Sequence, residues 1–335
     1  MEQIVVNNVN FSYANAQEQT LKDLSLKIDK GDFACILGES GCGKSTLLRL
    51  LAGLQFPDDG EILVGGKPVK KPGLDRGVVF QDYSLYPWMT TGKNILVTMK
   101  QRYPKRKKAE LKEEILYYLN QVGLEPSVYD KYPFELSGGM RQRCAICRAF
   151  ALNTSILLMD EPFGALDAVT RYRLQDMVLE LCTKEKEDPK TVVFITHDVE
   201  EAMYLANKIF VLGMKPSKVI YSYEFQNKKV CLGERANLFE QPEYVNLRKS
   251  LMDILNHDIE RKAKENEKRI LTVLLACSMV FSLAACSNSG KSDSQSDKTE
   301  AKEEEKKEIQ TIRIGTNPGT GNIFGFIAQD KGFDE

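Results

Sequence analysis

The stretch GESGCGKST has the residue types and the spacing of a phosphate-binding loop. Its glycines let the backbone turn sharply and bring successive N–H groups close to an anion. The helix that should begin here adds its positive dipole end. The sequence therefore predicts a nucleotide-phosphate site formed by Gly38, Glu39, Ser40, Gly41, Cys42, Gly43, Lys44, Ser45 and Thr46.

Two side chains of this loop carry the expected chemistry. Lys44 can supply a full positive charge to the β- and γ-phosphates, and the Ser45 hydroxyl can complete the oxygen shell of Mg²⁺. A chance glycine-rich turn is the alternative. It is disfavoured because an apolar strand pattern precedes the loop and a helix pattern follows it.

An acidic pair ends a second apolar stretch, ILLMDEP at 156–162. The strand delivers Asp160 and Glu161 at its carboxyl end, the edge at which open α/β sheets bind ligands. We expect Asp160 to hold Mg²⁺, directly or through water. Glu161 is placed to polarise a water for in-line attack on the γ-phosphate. The alternative is an acidic turn after a buried strand.

A third apolar stretch, TVVFIT at 191–196, ends at His197, one of two histidines in the chain. A histidine at a strand end is often structural. Here two other chemistry-bearing loops also follow apolar strands, so we expect His197 to contact the γ-phosphate.

Short apolar runs without polar alternation indicate strands that are covered on both faces, as in a parallel sheet. The strands predicted in this way, together with the more polar N-terminal ones, lie within 2–37 and at 61–64, 77–80, 156–159, 191–196 and 208–212. A helix is expected over 45–54. Residues 88–152 have a helical pattern, which indicates an inserted helical subdomain.

Composition excludes some classes of protein. The 335 residues carry 46 Lys and Arg against 47 Asp and Glu, so the net charge of -1 gives no basic excess for coating nucleic acid, and no nucleic-acid partner is expected. Eight dispersed cysteines favour a reducing compartment over a disulfide framework. Cys144 and Cys147 form a C-x-x-C, but one without the further ligands of a zinc site, so we expect helix packing.

The motif LSGGM at 136–140 completes a resemblance to the ATP-binding subunits of ABC transporters, whose signature it matches. Ser137 can cap a helix whose first N–H groups, left accessible by Gly138 and Gly139, form a second anion site. In this family two subunits pair head to tail, and each signature closes over the ATP held by the other. Met140 stands where the family more often has Gln.

Other positions match the family one at a time. Tyr13 resembles the aromatic residue that stacks on adenine, with ordinary packing as the alternative. Gln81 matches the glutamine that senses Mg²⁺ and the attacking water. Asp167 matches the aspartate that crosses the dimer interface, although helix capping is its default interpretation. His197 matches the switch histidine.

The resemblance implies an α/β fold: a P-loop NTPase (RecA-like) core, an N-terminal antiparallel β subdomain and an inserted α-helical subdomain, within residues 1–250. It implies ATP and Mg²⁺ as cofactors, a homodimer, an integral membrane permease as partner, and a peripheral position on the cytoplasmic face of the membrane. The alternative class is a soluble ABC ATPase that acts on ribosomes or DNA. Those proteins usually carry two cassettes or a long coiled-coil insertion, and this sequence shows one phosphate loop.

The segment LYPWMTTGKNI after Gln81 resembles the importer branch for nitrate, sulfonate, taurine and related small organic anions. Trp88, the only tryptophan, is then expected near the groove where a permease helix docks, with a buried packing role as the alternative.

The composition changes after a helix or linker at 251–267. A basic lead and an apolar run ending in LAAC, residues 268–286, resemble a secretory signal peptide with a lipoprotein box at Cys286. A polar tether at 287–309 follows, and 310–335 resembles the start of a solute-binding lipoprotein, which is thereby expected as a partner. We expect adjacent genes to have been joined; the alternative is a genuine fusion with the segment as an anchor.

Overall fold

The computed structural model describes residues 2–14, 16, 18–164, 166–183, 189–226 and 235–285. The chain divides into two units, Met1–Glu260 and Arg261–Glu335. Both sheets and the predicted site lie in the first unit. The predicted tether and solute-binding fragment, with Cys286, lie outside the described residues.

The smaller sheet is antiparallel and has the strand order β2-β1-β4-β5. It confirms the predicted antiparallel β subdomain. In β2 the alternation of Leu24, Leu26 and Ile28 with polar residues buries one face of the strand. Its strands are β1 (Glu2–Phe11), β2 (Leu21–Asp29), β4 (Asp59–Val64) and β5 (Lys67–Pro68).

The larger sheet has the strand order β10-β9-β3-β8-β7-β6 among the described residues. Its pairings are parallel except for the edge pair β10 and β9. The predicted apolar runs form these strands except β10, which the sequence pattern does not predict, and β3, β7 and β8 are buried along their whole length. The strands are β3 (Phe33–Leu37), β6 (Arg76–Val79), β7 (Ile156–Asp160), β8 (Thr191–Thr196), β9 (Lys208–Leu212) and β10 (Val219–Glu224).

The core explains why these strands are apolar without alternation. Cys35 and Leu37 face one buried cluster, which includes the inserted helices, while Ala34 and Ile36 face the other, which includes the antiparallel sheet. Successive side chains of a strand point to opposite faces, so a sheet covered on both sides needs apolar residues at every position.

Helices cover the larger sheet and form the predicted insertion. The helix after the phosphate loop ends at Ala52 because Gly53 adopts a left-handed conformation. The helices are α1 (Lys44–Ala52), α2 (Thr91–Arg102), α3 (Lys108–Gln121), α4 (Gly138–Ala151), α5 (Ala168–Thr183), α6 (Val199–Leu205), α7 (Arg235–Phe239) and α8 (Pro242–Ala285), with 3-10 turns at Pro126–Asp130 and Pro133–Glu135.

Cys144 and Cys147 lie in α4 as free, fully buried thiols, which confirms the packing interpretation. Within the described residues, no helix is both long enough and apolar enough to cross a membrane.

Candidate functional site

Parallel pairing of four neighbouring strands gathers the predicted site at one edge of the larger sheet. In spatial order β3, β8, β7 and β6 are adjacent, and their carboxyl ends point the same way. The ends of these strands and the loops that follow them carry the phosphate-loop residues, His197, the Asp160–Glu161 pair and Gln81. The topology therefore brings together segments that are far apart in the sequence.

The phosphate loop holds a buried ammonium group. Lys44 is only 4% exposed, and its Nζ donates hydrogen bonds to the carbonyl oxygens of Gly38 at 2.8 Å and Glu39 at 3.0 Å. These acceptors offset the cost of burying a charge. Gly41 and Gly43 have φ angles of 80° and 110°, which glycine adopts without strain.

Ser45 and Asp160 place hard oxygen atoms side by side. The Ser45 Oγ donates to Asp160 Oδ1 at 3.1 Å. Burial raises the pKa of Asp160, nearby Glu161 adds to the rise, and the Ser45 hydrogen bond and Lys44 oppose it. A hydroxyl and a carboxylate are ligands of the kind that Mg²⁺ prefers, and a cation would relieve the desolvation of Asp160. The residues present therefore fit this ion.

The Glu161 carboxylate lies between the ammonium group of Lys44 and the imidazole of His197. Its Oε1 is 3.8 Å from Lys44 Nζ, and its Oε2 is 3.3 Å from His197 Nδ1. The backbone of Glu161 has a φ of 45° and donates its N–H to the Ile195 carbonyl at 3.1 Å. A left-handed conformation at a non-glycine residue is costly and is held here by the neighbouring strand.

His197 is exposed over more than half of its side chain, while the residues on either side of it are fixed. Asp198 donates its N–H to Thr196 Oγ1 at 3.0 Å. Its carboxylate also caps α6 by accepting the N–H groups of Glu200 and Glu201 at 2.9 and 3.1 Å. The imidazole is thus presented from a rigid turn.

The signature begins α4, as predicted. Ser137 Oγ accepts the N–H of Met140 at 3.3 Å, so the departure from Gln at this position leaves the cap intact. A Cβ on Gly139 would come within 2.9 Å of Leu166 Cδ2, and one on Gly138 would lie 3.7 Å from the Tyr83 hydroxyl. Gly139 therefore packs closely against the Leu166 side chain, in the loop that contains Asp167.

Gln81 lies two residues after β6 with its side chain exposed. The segment that follows it is anchored by Arg148, whose buried guanidinium donates to the carbonyl oxygens of Ser84 at 2.5 Å and Tyr83 at 3.1 Å. Burial lowers the pKa of Arg148. Arg148 is not predictable from the sequence, because one arginine in a helix pattern resembles a solvated position.

Tyr13 lies beside the phosphate loop. Its hydroxyl is 3.1 Å from Thr46 Oγ1, and its ring makes an edge contact with Phe11 at 5.0 Å. Asp167 caps α5, because its Oδ1 accepts the N–H of Thr170 at 3.0 Å, and this bond lowers the pKa of Asp167. Trp88 is 68% exposed, which excludes the alternative of a buried packing role.

A thiolate at Cys42, which the helix N-terminus would favour, is not supported. Cys42 is fully buried in the core, and burial raises the pKa of its thiol against the opposing effect of Lys44. Its side chain therefore points away from the nucleotide face, and only its backbone belongs to the phosphate loop.

Arg171, likewise not predictable from the sequence, joins two of the site's loops. Its Nη2 donates to the Leu166 carbonyl at 3.2 Å, and its Nη1 lies 3.6 Å from Asp198 Oδ2. The loop of Asp167 is thereby tied to the turn that presents His197. No sequence motif marks Arg171, because the link depends on how α5 and β8 pack.

Comparisons with known proteins show the family to which the chain belongs. A family model described as ABC transporter matches residues 21–164. An uncharacterized ABC transporter ATP-binding protein of Methanocaldococcus jannaschii is 40% identical over 257 residues, 76% of this chain and 91% of that protein. A nitrate import ATP-binding protein of Synechococcus elongatus is 42% identical over 247 residues, 73% of this chain but only 36% of that longer protein.

A solved structure has a similar fold. It is the dimeric, post-hydrolysis state of an ATP-binding cassette bound to ADP and Pi, 30% identical, with a TM-score of 0.61. It covers 67% of this chain, and the whole of that chain is matched. The α/β cassette fold predicted from the sequence is confirmed.

Proposed function

Because this chain belongs to the ABC transporter ATP-binding proteins, and is thus an ATPase, we propose that it energises the import of a small anion through a separate membrane permease. The observation that carries the proposal is the position of Glu161. Its carboxylate lies between Lys44 and His197 and directly follows the Asp160 that contacts Ser45. This arrangement supports a role for Glu161 in ATP hydrolysis at the γ-phosphate.

In the proposed mechanism, Lys44 exchanges its two carbonyl acceptors for β- and γ-phosphate oxygens. Glu161 accepts a hydrogen bond from a water, orients it for in-line attack and takes up its proton. His197 approaches the γ-phosphate from β8, and Gln81 approaches the same water from the end of β6. Tyr13 lies at the side of the loop for a contact with adenine.

We propose that Ser45 and Asp160, with Gln81, hold Mg²⁺. When bound, the ion supplies charge neutralisation of the phosphate oxygens. The residues of this chain would fix its position through a hydroxyl and a carboxylate that are already in contact.

We propose that two copies of the chain close over two nucleotides. The solved cassette is dimeric, which supports this assembly. In this proposed dimer, the N-terminus of α4 at Ser137, Gly138 and Gly139 would meet the nucleotide of the partner copy, because the first N–H groups of the helix, which the Ser137 cap does not use, could bind an anion. Asp167 would lie along the contact between the copies.

We infer the direction of transport, import, and the class of solute from the relatives of this chain. The nitrate import protein shares 42% identity with the matched region, and the Pro87–Trp88 pair after Gln81 fits the same branch. We propose nitrate, sulfonate, taurine or a related small anion as cargo. The permease would seat this chain on the cytoplasmic face of the membrane, with a solute-binding lipoprotein on the other side.

The first test is affinity purification of the tagged full chain from solubilised membranes. The second measures the uptake of labelled anions by the cells that produce the protein. Recovery of an integral membrane permease, with uptake abolished by Glu161→Gln, is the expected result. Recovery of ribosomes or DNA with no permease would favour the soluble class of ABC ATPase instead.

For residues 268–335 we propose a joined leader and fragment of a neighbouring lipoprotein gene, on composition alone. Intact-mass analysis of the native protein tests this. A species ending near residue 268 is expected, and a membrane-extracted full-length chain lipidated at Cys286 would establish a genuine fusion.

A further inference from the structure

The guanidinium of Arg235, at the start of α7, is held between two aromatic rings. Its Cζ lies 3.7 Å from the ring centroid of Tyr204 on α6 and 4.1 Å from that of Tyr172 on α5. It also donates a hydrogen bond to Gln175 Oε1. A cation between two ring faces is attracted by both, so Arg235 joins α5 and α6 from outside the nucleotide edge.

A chain of buried hydrogen bonds continues from Arg235 toward the site. Gln175, 1% exposed, donates its Nε2 to Glu201 Oε1 at 2.6 Å. The other carboxylate oxygen of Glu201 accepts the hydroxyl of Thr196 at 2.5 Å. Glu201 is itself 6% exposed, so these donors are what satisfies its carboxylate.

This hydrogen-bond network ends at Thr196 and Asp198, the residues on either side of His197. Thr196 Oγ1, besides donating to Glu201, accepts the N–H of Asp198 at 3.0 Å. Rotating the Thr196 hydroxyl therefore affects the turn that presents the imidazole. Buried polar networks of this kind fix geometry because a partly satisfied network is costly.

We propose that Arg235 is a positioning residue for ATP hydrolysis. It orients Gln175, which fixes Glu201 and Thr196, and thereby holds His197 at the γ-phosphate. This inference rests on the role proposed above for His197. It assigns to α7, which supplies the arginine, an indirect influence on turnover through this network.

The test compares Arg235→Met in the full chain with the matched control Arg248→Ala. Arg248, in α8, also contacts α6, through Glu200 at 2.9 Å, but this pair is on the surface, with the two side chains 59% and 45% exposed. We expect Arg235→Met to lower kcat by about tenfold with little change in KM, since one buried network bond is lost. Arg235→Lys keeps the charge but not the planar stack, and should restore only part of the rate.

A spectroscopic readout separates positioning from loss of fold. The chain has two histidines, His197 and His257, so ¹³C-labelled histidine gives two Cε1–H resonances, assigned with His257→Gln. We expect Arg235→Met to move or broaden the His197 resonance and to leave His257 unchanged. Arg248→Ala should leave both as in the wild type.

Unchanged kcat in Arg235→Met, an unmoved His197 resonance, or a rate loss fully explained by a smaller folded fraction would each overturn the inference. His197→Ala separates the two hypotheses. If His197→Ala is impaired while Arg235→Met is normal, the role of His197 stands and only the inference fails. If His197→Ala turns over ATP like the wild type, both fail.

Discussion

Nδ1 of His197 lies 3.3 Å from Oε2 of Glu161, and the two residues follow neighbouring parallel strands. The other oxygen of the same carboxylate faces Lys44 at 3.8 Å. Both carboxylate oxygens are therefore directed by contacts across the site, and the group is kept as an oriented acceptor at the edge where the phosphates should lie.

The first prediction concerns Glu161→Gln. The amide cannot take a proton from water, so we expect turnover to fall by about 10²–10⁴-fold, the usual contribution of a general base. Nucleotide affinity and ATP-driven pairing should persist, because Lys44 and the loop backbone are unchanged. Steady-state phosphate release and equilibrium binding of a fluorescent ATP analogue measure the two effects.

The matched control for that variant is Glu224→Gln. It also removes a carboxylate paired with a lysine, Lys208 at 3.4 Å, but on the edge strand β10. Wild-type turnover is expected there. Hydrolysis near the wild-type rate in Glu161→Gln would show that Glu161 is not the general base.

The second prediction concerns Ser45→Ala. Loss of the hydroxyl that contacts Asp160 should raise the Mg²⁺ concentration needed for half-maximal hydrolysis, while nucleotide binding in EDTA stays close to that of the wild type. The measurement is a Mg²⁺ titration at saturating ATP, with binding in EDTA measured in parallel.

Ser40→Ala is the control for this titration, since the Ser40 side chain is exposed in the same loop. Its Mg²⁺ dependence should match that of the wild type. An unaltered Mg²⁺ requirement in Ser45→Ala would count against Ser45 as a ligand.

Much of the site could be predicted because its signals are local. Lys44 and Ser45 belong to a contiguous motif, and the acidic pair and His197 directly follow apolar runs that indicate buried strands. Ser137 caps α4 as its position before two glycines implies.

The rest depends on tertiary packing. That His197 meets Glu161 follows from the insertion of β8 between β3 and β7, an order that no local pattern encodes. Arg148 and Glu201 are single polar residues in helix patterns, where a solvated position is the default. At Cys42 the nearby helix N-terminus alone would favour a thiolate, but burial raises the pKa of the thiol and outweighs this effect.

The third prediction follows from that burial. Native Cys42 should react with N-ethylmaleimide far more slowly than in urea, and ATP should make little further difference, because burial both hides the thiol and raises its pKa. Peptide mapping after timed alkylation measures this. Ser40→Cys, at an exposed position of the same loop, is the positive control and should label rapidly. Fast labelling of native Cys42 that ATP blocks would contradict the buried geometry.

The fourth prediction concerns the pH dependence of stability and tests Glu201. Burial is the largest cause that raises the pKa of its carboxyl, and the hydrogen bonds from Thr196 and Gln175 only oppose it in part. The folded state therefore holds this proton more tightly than the unfolded state. Stability contributed by the group is present below the ordinary glutamate range and is lost as pH rises through the raised pKa.

Glu201→Gln cannot titrate, so the difference in urea midpoint between variant and wild type should be constant below about pH 4. At higher pH the urea midpoint of the variant should rise relative to that of the wild type. The altered hydrogen bonding of the variant adds an offset that does not depend on pH and so does not affect this trend. Glu200→Gln removes one carboxylate from the same helix at an exposed position and controls for net charge. The prediction is wrong if the difference in urea midpoint stays constant from acid to neutral pH, or if it changes in favour of the wild type. Either result would mean that the folded protein stabilises the charged form of Glu201, and that the network leading to His197 contains an anion.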